Sequence, residues 1–239
     1  MRVAALVLAA GRGERLRRSL PTPSAEASPP KAFLAVGGRS LLAHSLAALQ
    51  AAPALEGVMP VVPPGWLGRW AGAAGVEPEA PGLLPAVEGG ALRQDSVAAG
   101  LAALPPTVEH VAIHDAARPL VHPEAVSRVL TAALVHGAAF LAEPVADTIH
   151  RADADGNLAE TPDRSDLWAA QTPQAFRVDW LREALEKARA DGVTGTDDAG
   201  LVARCGHPVR VVPGDPANRK ITLASDLRWA EIHLAERGS

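Results

Sequence analysis

The chain is poor in cysteine, in lysine and in long apolar runs, and each shortage closes off a class of protein. A single cysteine, Cys205, among 239 residues excludes an internal disulfide and any cysteine-cluster metal site, and it is expected as buried filler. Glycine, proline or charge interrupts every apolar run before the ~20 residues that a bilayer-spanning helix needs, so no membrane partner is expected. The first ten residues show none of the basic stretch, long apolar core and cleavage pattern of a secretory signal, which points to the cytoplasm. A basic excess is missing too. The formal net charge is −4 with both signs interspersed, unlike a general nucleic-acid surface, so no nucleic-acid partner is expected. Only three of the 23 basic residues are lysines, Lys31, Lys187 and Lys220, which makes each lysine an exception to an arginine habit.

What the chain has is alternation. Short β-rich runs near 2–9, 57–62, 108–113, 138–143 and 208–213, with weaker ones near 83–87 and 167–170, alternate with Ala/Leu-rich amphipathic runs. The latter lie near 40–51, 93–103, 123–136, 177–190, 197–204 and 225–236. This pattern predicts an α/β protein with a Rossmann-like, mainly parallel twisted sheet flanked by helices, in one domain over 1–239. Ser40, Thr196 and Ser225 are the expected N-caps, and Pro105-Pro106 stops the helix before it. Two stretches break the alternation. Residues 19–30, SLPTPSAEASPP, hold four prolines and no apolar face, and read as a mobile surface loop. Residues 144–166 place Asp155-Gly156-Asn157 between two extended arms, the signature of a β-hairpin. An isolated hairpin is marginal in water, so this arm is expected to pack against a second subunit.

The candidate chemistry falls in five places. In LVLAAGRGERL, 6–16, a buried strand feeds Gly11-Arg12-Gly13, a way of presenting backbone N–H groups to a phosphate, though also an ordinary tight turn. Leu16 stands where a dinucleotide fingerprint needs its third glycine, and no Walker loop follows. In VAIHDAARPLV, 111–121, Asp115 ends a strand, where open α/β sheets bind ligands and where a carboxylate suits Mg²⁺ or a cap. His114 beside it has no second His or Cys at ligand spacing and reads as a hydrogen-bonded structural residue. In EGGALRQDSVAAGL, 88–101, paired glycines allow close approach to a flat ligand, and Ser96 is placed to face it. In NRKIT, 218–222, Lys220 follows a Pro-Gly-Asp-Pro turn. Thr148 and Arg164 lie at opposite ends of the hairpin, and Thr172 follows it in AAQTPQAF. The pair Asp197-Asp198 reads as dipole-stabilising acid in a helix's first turn.

Taken in order, the G-x-G-x-R loop with its following Pro-Lys, E-G-G-x-x-R-x-x-S-V, H-D-A-A-R-P, P-V-x-D-T, D-R-x-x-L-W-x-x-x-T-P-Q and N-x-K-I-T closely resemble the IspD family of cytidylyltransferases over about residues 2–236. The resemblance implies a fold of the nucleotide-diphospho-sugar transferase type and a Mg²⁺-dependent transfer of CMP from CTP to 2-C-methyl-D-erythritol 4-phosphate in non-mevalonate isoprenoid synthesis. It implies that Ala9, Ala10, Gly11 and Gly13 hold the triphosphate, with Arg15 and Lys31 stabilising the transition state. Gly90 and Ser96 would face cytosine and ribose, and Asp115, braced by Arg118, would sit on the metal side. Lys220 and Thr172 would hold the sugar phosphate, while Thr148 and Arg164 would reach it from the other subunit of a homodimer. A ribitol-phosphate cytidylyltransferase and a catalytically silent nucleotide-binding protein are the alternatives; Ala116-Ala117 and the retained Arg15, Lys31, Asp115 and Lys220 argue against them. The connection between the glycine loop and Lys31 is longer than in relatives, which leaves the position of Lys31 open. A fused cyclase domain is not expected.

Overall fold

RVAALVL, at the start of the chain, forms β1 (Arg2–Leu8), five of whose seven residues are buried. A near-continuous apolar strand needs cover on both faces. In the computed structural model, which describes residues 2–11, 13–19 and 29–237, it has that cover. After β1 come α1 (Glu14–Ser19), a single 3-10 turn at Lys31–Phe33 and an antiparallel ribbon of β2 (Ala35–Val36) and β3 (Arg39–Ser40). Then follow α2 (Leu41–Gln50), β4 (Gly57–Val62), α3 (Trp70–Ala74), β5 (Val87–Glu88), α4 (Arg93–Ala103), β6 (Val108–Asp115), α5 (Pro123–His136) and β7 (Ala138–Pro144). The arm comprises β8 (Arg151–Ala152) and β9 (Leu158–Glu160); β10 (Trp168–Arg177), α6 (Val178–Ala190), α7 (Asp198–Arg204), β11 (Arg210–Pro213) and α8 (Ala224–Arg237) complete the chain.

Seven strands form one sheet in the order β11-β7-β10-β6-β1-β4-β5. All neighbours are parallel except β10, which runs antiparallel to both β6 and β7. The expected helix-flanked, mainly parallel sheet is therefore the fold. Alternation along β1 divides the core in two. Val3, Ala5 and Val7 pack with Leu42, Leu46 and Leu49 of α2 and with Val126, Val129 and Leu130 of α5. Ala4 and Leu6 face the other way, toward Val97 and Leu101 of α4 and Leu181 and Leu185 of α6. A third cluster, including Leu16, Val36, Leu41, Leu120, Ile221 and Ala230, joins α1 and α8 to the loop after β6. Cys205 is half-buried against the second layer rather than fully buried.

Several boundaries differ from the sequence reading. The weak strand near 167–170 continues to Arg177 as β10, across Pro173; its register with β7 shifts between Ala170 and Gln174, the kind of irregularity at which proline is tolerated. The weak strand near 83–87 reduces to β5 and a bridge between Leu83 and Val58. Ser40 caps α2, accepting from the Ala43 N–H. Thr196 does not cap α7; Asp197 does, accepting from Gly200. Ser225 lies inside α8, and the Asp226 carboxylate accepts from the N–H groups of Thr222 and Leu223 instead. The hairpin is present: Gly156 adopts φ +85° and Asp153 accepts from Asp155 and Asn157. Residues 146–161 are exposed throughout. Of the proline-rich stretch 19–30, residues 20–28 lie outside the described residues. Among the described residues no helix is long and apolar enough to cross a membrane.

Gly137 ends α5 at φ +88°, and a Cβ there would collide with the Trp180 ring. Gly137→Ala is expected to lower unfolding free energy by about 1–3 kcal/mol. Gly72→Ala, in α3 with open space around it, is expected to be neutral or stabilising by up to about 1 kcal/mol. Urea denaturation of the two variants checks both.

Candidate active site

Where β1 ends, the Ala9 N–H donates to Val61 at 2.8 Å and the chain turns through Gly11. Gly13 takes φ +67°, and a Cβ on it would lie 2.7 Å from Lys31 Cβ. A glycine is therefore required twice over, for the left-handed turn and for contact with the lysine stem. That packing fixes Lys31 beneath the glycine loop despite the long connection. Its Nζ donates to the Ile221 carbonyl at 3.0 Å. Burial, and then the nearby charge of Lys220, lower its pKa to about 8, with Asp115 partly opposing them.

Asp115 is the last residue of β6 and pairs in register with Leu8 of β1, so its side chain sits beside the glycine loop. Its Oδ2 accepts from Lys220 Nζ at 2.6 Å, and its Oδ1 lies 3.5 Å from Arg93 Nε. Burial alone would raise its pKa; Lys220 and Arg93 outweigh burial and hold the carboxyl well below the usual range. His114 is fully buried, bonded to the Arg118 carbonyl and the Thr172 hydroxyl, and burial lowers its pKa to about 4. It is a neutral structural residue, as the sequence suggested.

Three segments distant in sequence are tied together behind Asp115. The Thr172 hydroxyl accepts from the Asp115 N–H at 3.0 Å. Arg118 donates to the carbonyls of Asn218 and Ala170, and the Asn218 amide donates to Gln171 Oε1 and the Thr172 carbonyl. On the opposite wall, a Cβ on Gly89 would lie 2.6 Å from that of Ala10, and the Gly90 N–H donates to Ser96 Oγ at 3.2 Å.

These walls enclose a cleft of about 610 Å³. It brings together Ala9, Ala10, Gly11, Lys31, Gly90, Ser96, Asp115 and Lys220. Gly13 packs on Lys31 beneath the same loop, and Arg15 is an exposed residue of α1 whose charge helps to lower the Lys31 pKa. Arg118 and Thr172 brace the site from behind. Thr148 and Arg164 are not gathered in: both are exposed on the arm, where Arg164 donates to the Ala146 carbonyl. Arg17 and Arg93 also line the cleft and were missed as site residues. Arg93 had a signal, the arginine of E-G-G-x-x-R. Asp198 was read as a dipole acid, yet it is buried and accepts from Arg93 Nη1 at 2.7 Å. Among the described residues the charged lining is thus Arg17, Lys31, Arg93 and Lys220 against Asp115 alone, in a chain of net charge −4. Among the described residues no three His, Cys, Asp or Glu side chains cluster as a metal site.

A family model described as IspD, 2-C-methyl-D-erythritol 4-phosphate cytidylyltransferase, matches residues 3–236. The chain belongs to the IspD family. A relative of that name from Synechococcus sp. (strain WH7803) is 45% identical over 97% of this chain and 99% of its own. The crystal structure of 2-C-methyl-D-erythritol 4-phosphate cytidylyltransferase from Thermus thermophilus superposes with a TM-score of 0.75 at 37% identity, covering 98% of each chain. A 4-diphosphocytidyl-2C-methyl-D-erythritol synthase from Anaerococcus prevotii reaches a TM-score of 0.83 at 26% identity, over 98% of this chain and 96% of that one. The IspD assignment accounts for the order of the six motifs and for the sheet topology alike.

His114 gives a pH test of how tightly the cleft's rear wall is packed. The folded protein binds the His114 proton with a pKa of about 4, against 6.5 for the ordinary side chain, so the unfolded chain holds more protons in between. Stability therefore falls as pH drops from about 6.5 to about 4. Between pH 7 and 5 this one group should cost about 2 kcal/mol. Urea unfolding at the two pH values should show a smaller drop in His114→Gln by that amount; identical slopes would refute the assignment. His44 and His110 are shifted downward mainly by burial and leave a residual slope of the same sign.

Proposed function

We propose that the chain transfers CMP from CTP to the phosphate of 2-C-methyl-D-erythritol 4-phosphate, giving 4-diphosphocytidyl-2-C-methyl-D-erythritol and pyrophosphate, in the cytoplasm. The observation that carries this reading is the cleft that, among the described residues, four cations and one carboxylate line at the carboxyl ends of β1 and β6, in a member of the IspD family. A phosphate dianion must approach a triphosphate, and two unit charges about 4 Å apart repel by about 4 kcal/mol at an effective dielectric of about 20. Fixed positive charge is what such a reaction needs most.

In the proposed site the glycine loop from Ala9 to Gly13 cradles the triphosphate, and Gly90 and Ser96 flank the nucleoside. Lys31 and Arg15 neutralise charge that develops at the α-phosphorus as the acceptor phosphate oxygen attacks and the bond to pyrophosphate breaks. Lys220 orients the acceptor phosphate, while Thr172 and Arg118 hold its loop. The attacking phosphate is already ionised at neutral pH, so no general base is required, in keeping with the neutral, buried His114. Thr148 and Arg164 reach the acceptor from the arm of a second subunit, which would cover the exposed Ile149 and Leu158.

Magnesium fits Asp115. This is the only carboxylate among the described residues lining the cleft, and its Oδ1 holds just a 3.5 Å contact with Arg93, leaving lone pairs for a cation. With no second acidic ligand, the remaining positions fall to phosphate oxygens and water, as is usual for this ion. When bound, it supplies charge neutralisation for the triphosphate and its leaving group.

Pyrophosphate release with Mg²⁺ and CTP is expected with methylerythritol phosphate and not with ribitol phosphate; no turnover with either overturns the enzymatic reading. Lys31 offers a second check. With a pKa of about 8 it is partly neutral at pH 8, and a bound triphosphate favours its charged form, so CTP binding should take up protons. Titration calorimetry in buffers of differing ionisation heat should detect this uptake in the wild type and lose it in Lys31→Met.

A further inference from the structure

Asp198 begins α7, and its side chain is 1% exposed. It reaches the cleft only through Arg93, which begins α4 and lines it. The contacts form a chain: Asp198 Oδ2 accepts from Arg93 Nη1 at 2.7 Å, and Arg93 Nε stands 3.5 Å from Asp115 Oδ1. The far end is pinned. Gln174 of β10 accepts from the N–H groups of Asp198 and Ala199 through Oε1 and donates to Asp197 Oδ2 through Nε2. Asp198 Oδ1 has no hydrogen-bond partner among the described residues. Burying a carboxylate with one oxygen unsatisfied is costly, and an apolar pair would staple α4 to α7 at less cost. What the buried charge adds is a fixed direction for the Arg93 guanidinium.

We propose that Asp198 is a positioning residue of the nucleotide site: it holds Arg93 at a standoff from Asp115, so that Oδ1 is charge-balanced by a single long contact of 3.5 Å and stays open to a divalent cation carried by the nucleotide. Without this anchor, Arg93 is free to close on Asp115 with its fork and occupy both carboxylate oxygens. The inference rests on the reading of Asp115 as the cation's ligand, and it makes Asp198 an outer partner of that ligand, the kind of residue whose loss typically weakens metal affinity at least tenfold.

Calorimetric titration of CTP into wild type, Asp198→Asn, Asp115→Asn and the double variant, each in Mg²⁺ and in EDTA, tests this. Asp198→Asn is expected to weaken CTP binding about tenfold in Mg²⁺ and by less than about twofold in EDTA, and to add nothing in the Asp115→Asn background. Equal losses in Mg²⁺ and EDTA, or an undiminished loss in that background, would overturn the positioning role. If the wild type binds CTP equally in Mg²⁺ and EDTA and Asp115→Asn changes neither, the cation reading itself fails and takes this one with it. Should Asp198→Asn not fold by circular dichroism, Asp198→Ser replaces it in the same cycle, because it removes the carboxylate that accepts from Arg93 Nη1 and leaves Arg93 itself in place; the same results support or overturn the proposal.

Discussion

The contact between Asp115 and Lys220, at 2.6 Å, is what allows a cleft lined with positive charge to close at all. Lys31, Arg93 and Lys220 enter from three separate parts of the chain and repel one another, and an anion among them offsets part of that cost. Asp115 is that anion in the folded protein. The Lys31 pKa registers the balance: burial and Lys220 push it down, and Asp115 holds it up. A bound triphosphate would take over the same role with more charge. The cleft is thus held together by a weaker version of the interaction it is proposed to use.

The fold delivers these groups by placing strand ends together and buttressing the loops beyond them. β6 lies at the middle of the sheet with β1 beside it, so Leu8 and Asp115 end at the same level. Lys220 comes from a segment without regular structure, and its place depends on packing. The Ile221 N–H donates to Ala117, its carbonyl accepts from Lys31, and its side chain is buried with Leu16 and Ala230. The Ala224 N–H donates to the Ser19 hydroxyl, closing α8 against α1. The last helix of the chain is in this sense part of the first loop's support.

Apolar periodicity made the sheet and the long helices legible, because β1 shows its two faces in five residues and both faces are used. β10 was half legible: Thr-Pro-Gln reads as a break, and only pairing with β6 and β7 keeps it extended. The motifs identified the glycine loop, Lys31, Asp115 and Lys220, all of which meet. Arg93 and Asp198 were not legible as a pair, since local spacing shows an acid in a helix's first turn and nothing of the α4 start that faces it. The arm could be read as a hairpin from its turn, but Thr148 and Arg164 are exposed on it, away from the residues that line the cleft.

The two sides of the cleft answer opposite demands, and this explains why glycine and lysine occur where they do. On the proposed reading the triphosphate side needs charge, supplied by side chains long enough to reach a phosphate from a buried stem. The other wall would, on the same reading, admit a flat ring close to the backbone. There Gly89 lies against Ala10, a side chain on Gly90 would strike Asp95, and the Ser96 hydroxyl is occupied with the Gly90 N–H. With Ala91 and Leu92 offering no polar side chain, discrimination among bases on the proposed reading rests on main-chain donors and acceptors, whose directions are fixed. Rigidity of that loop is then a requirement of recognition on that reading, and the Ser96 hydroxyl contributes to it by accepting from the Gly90 N–H.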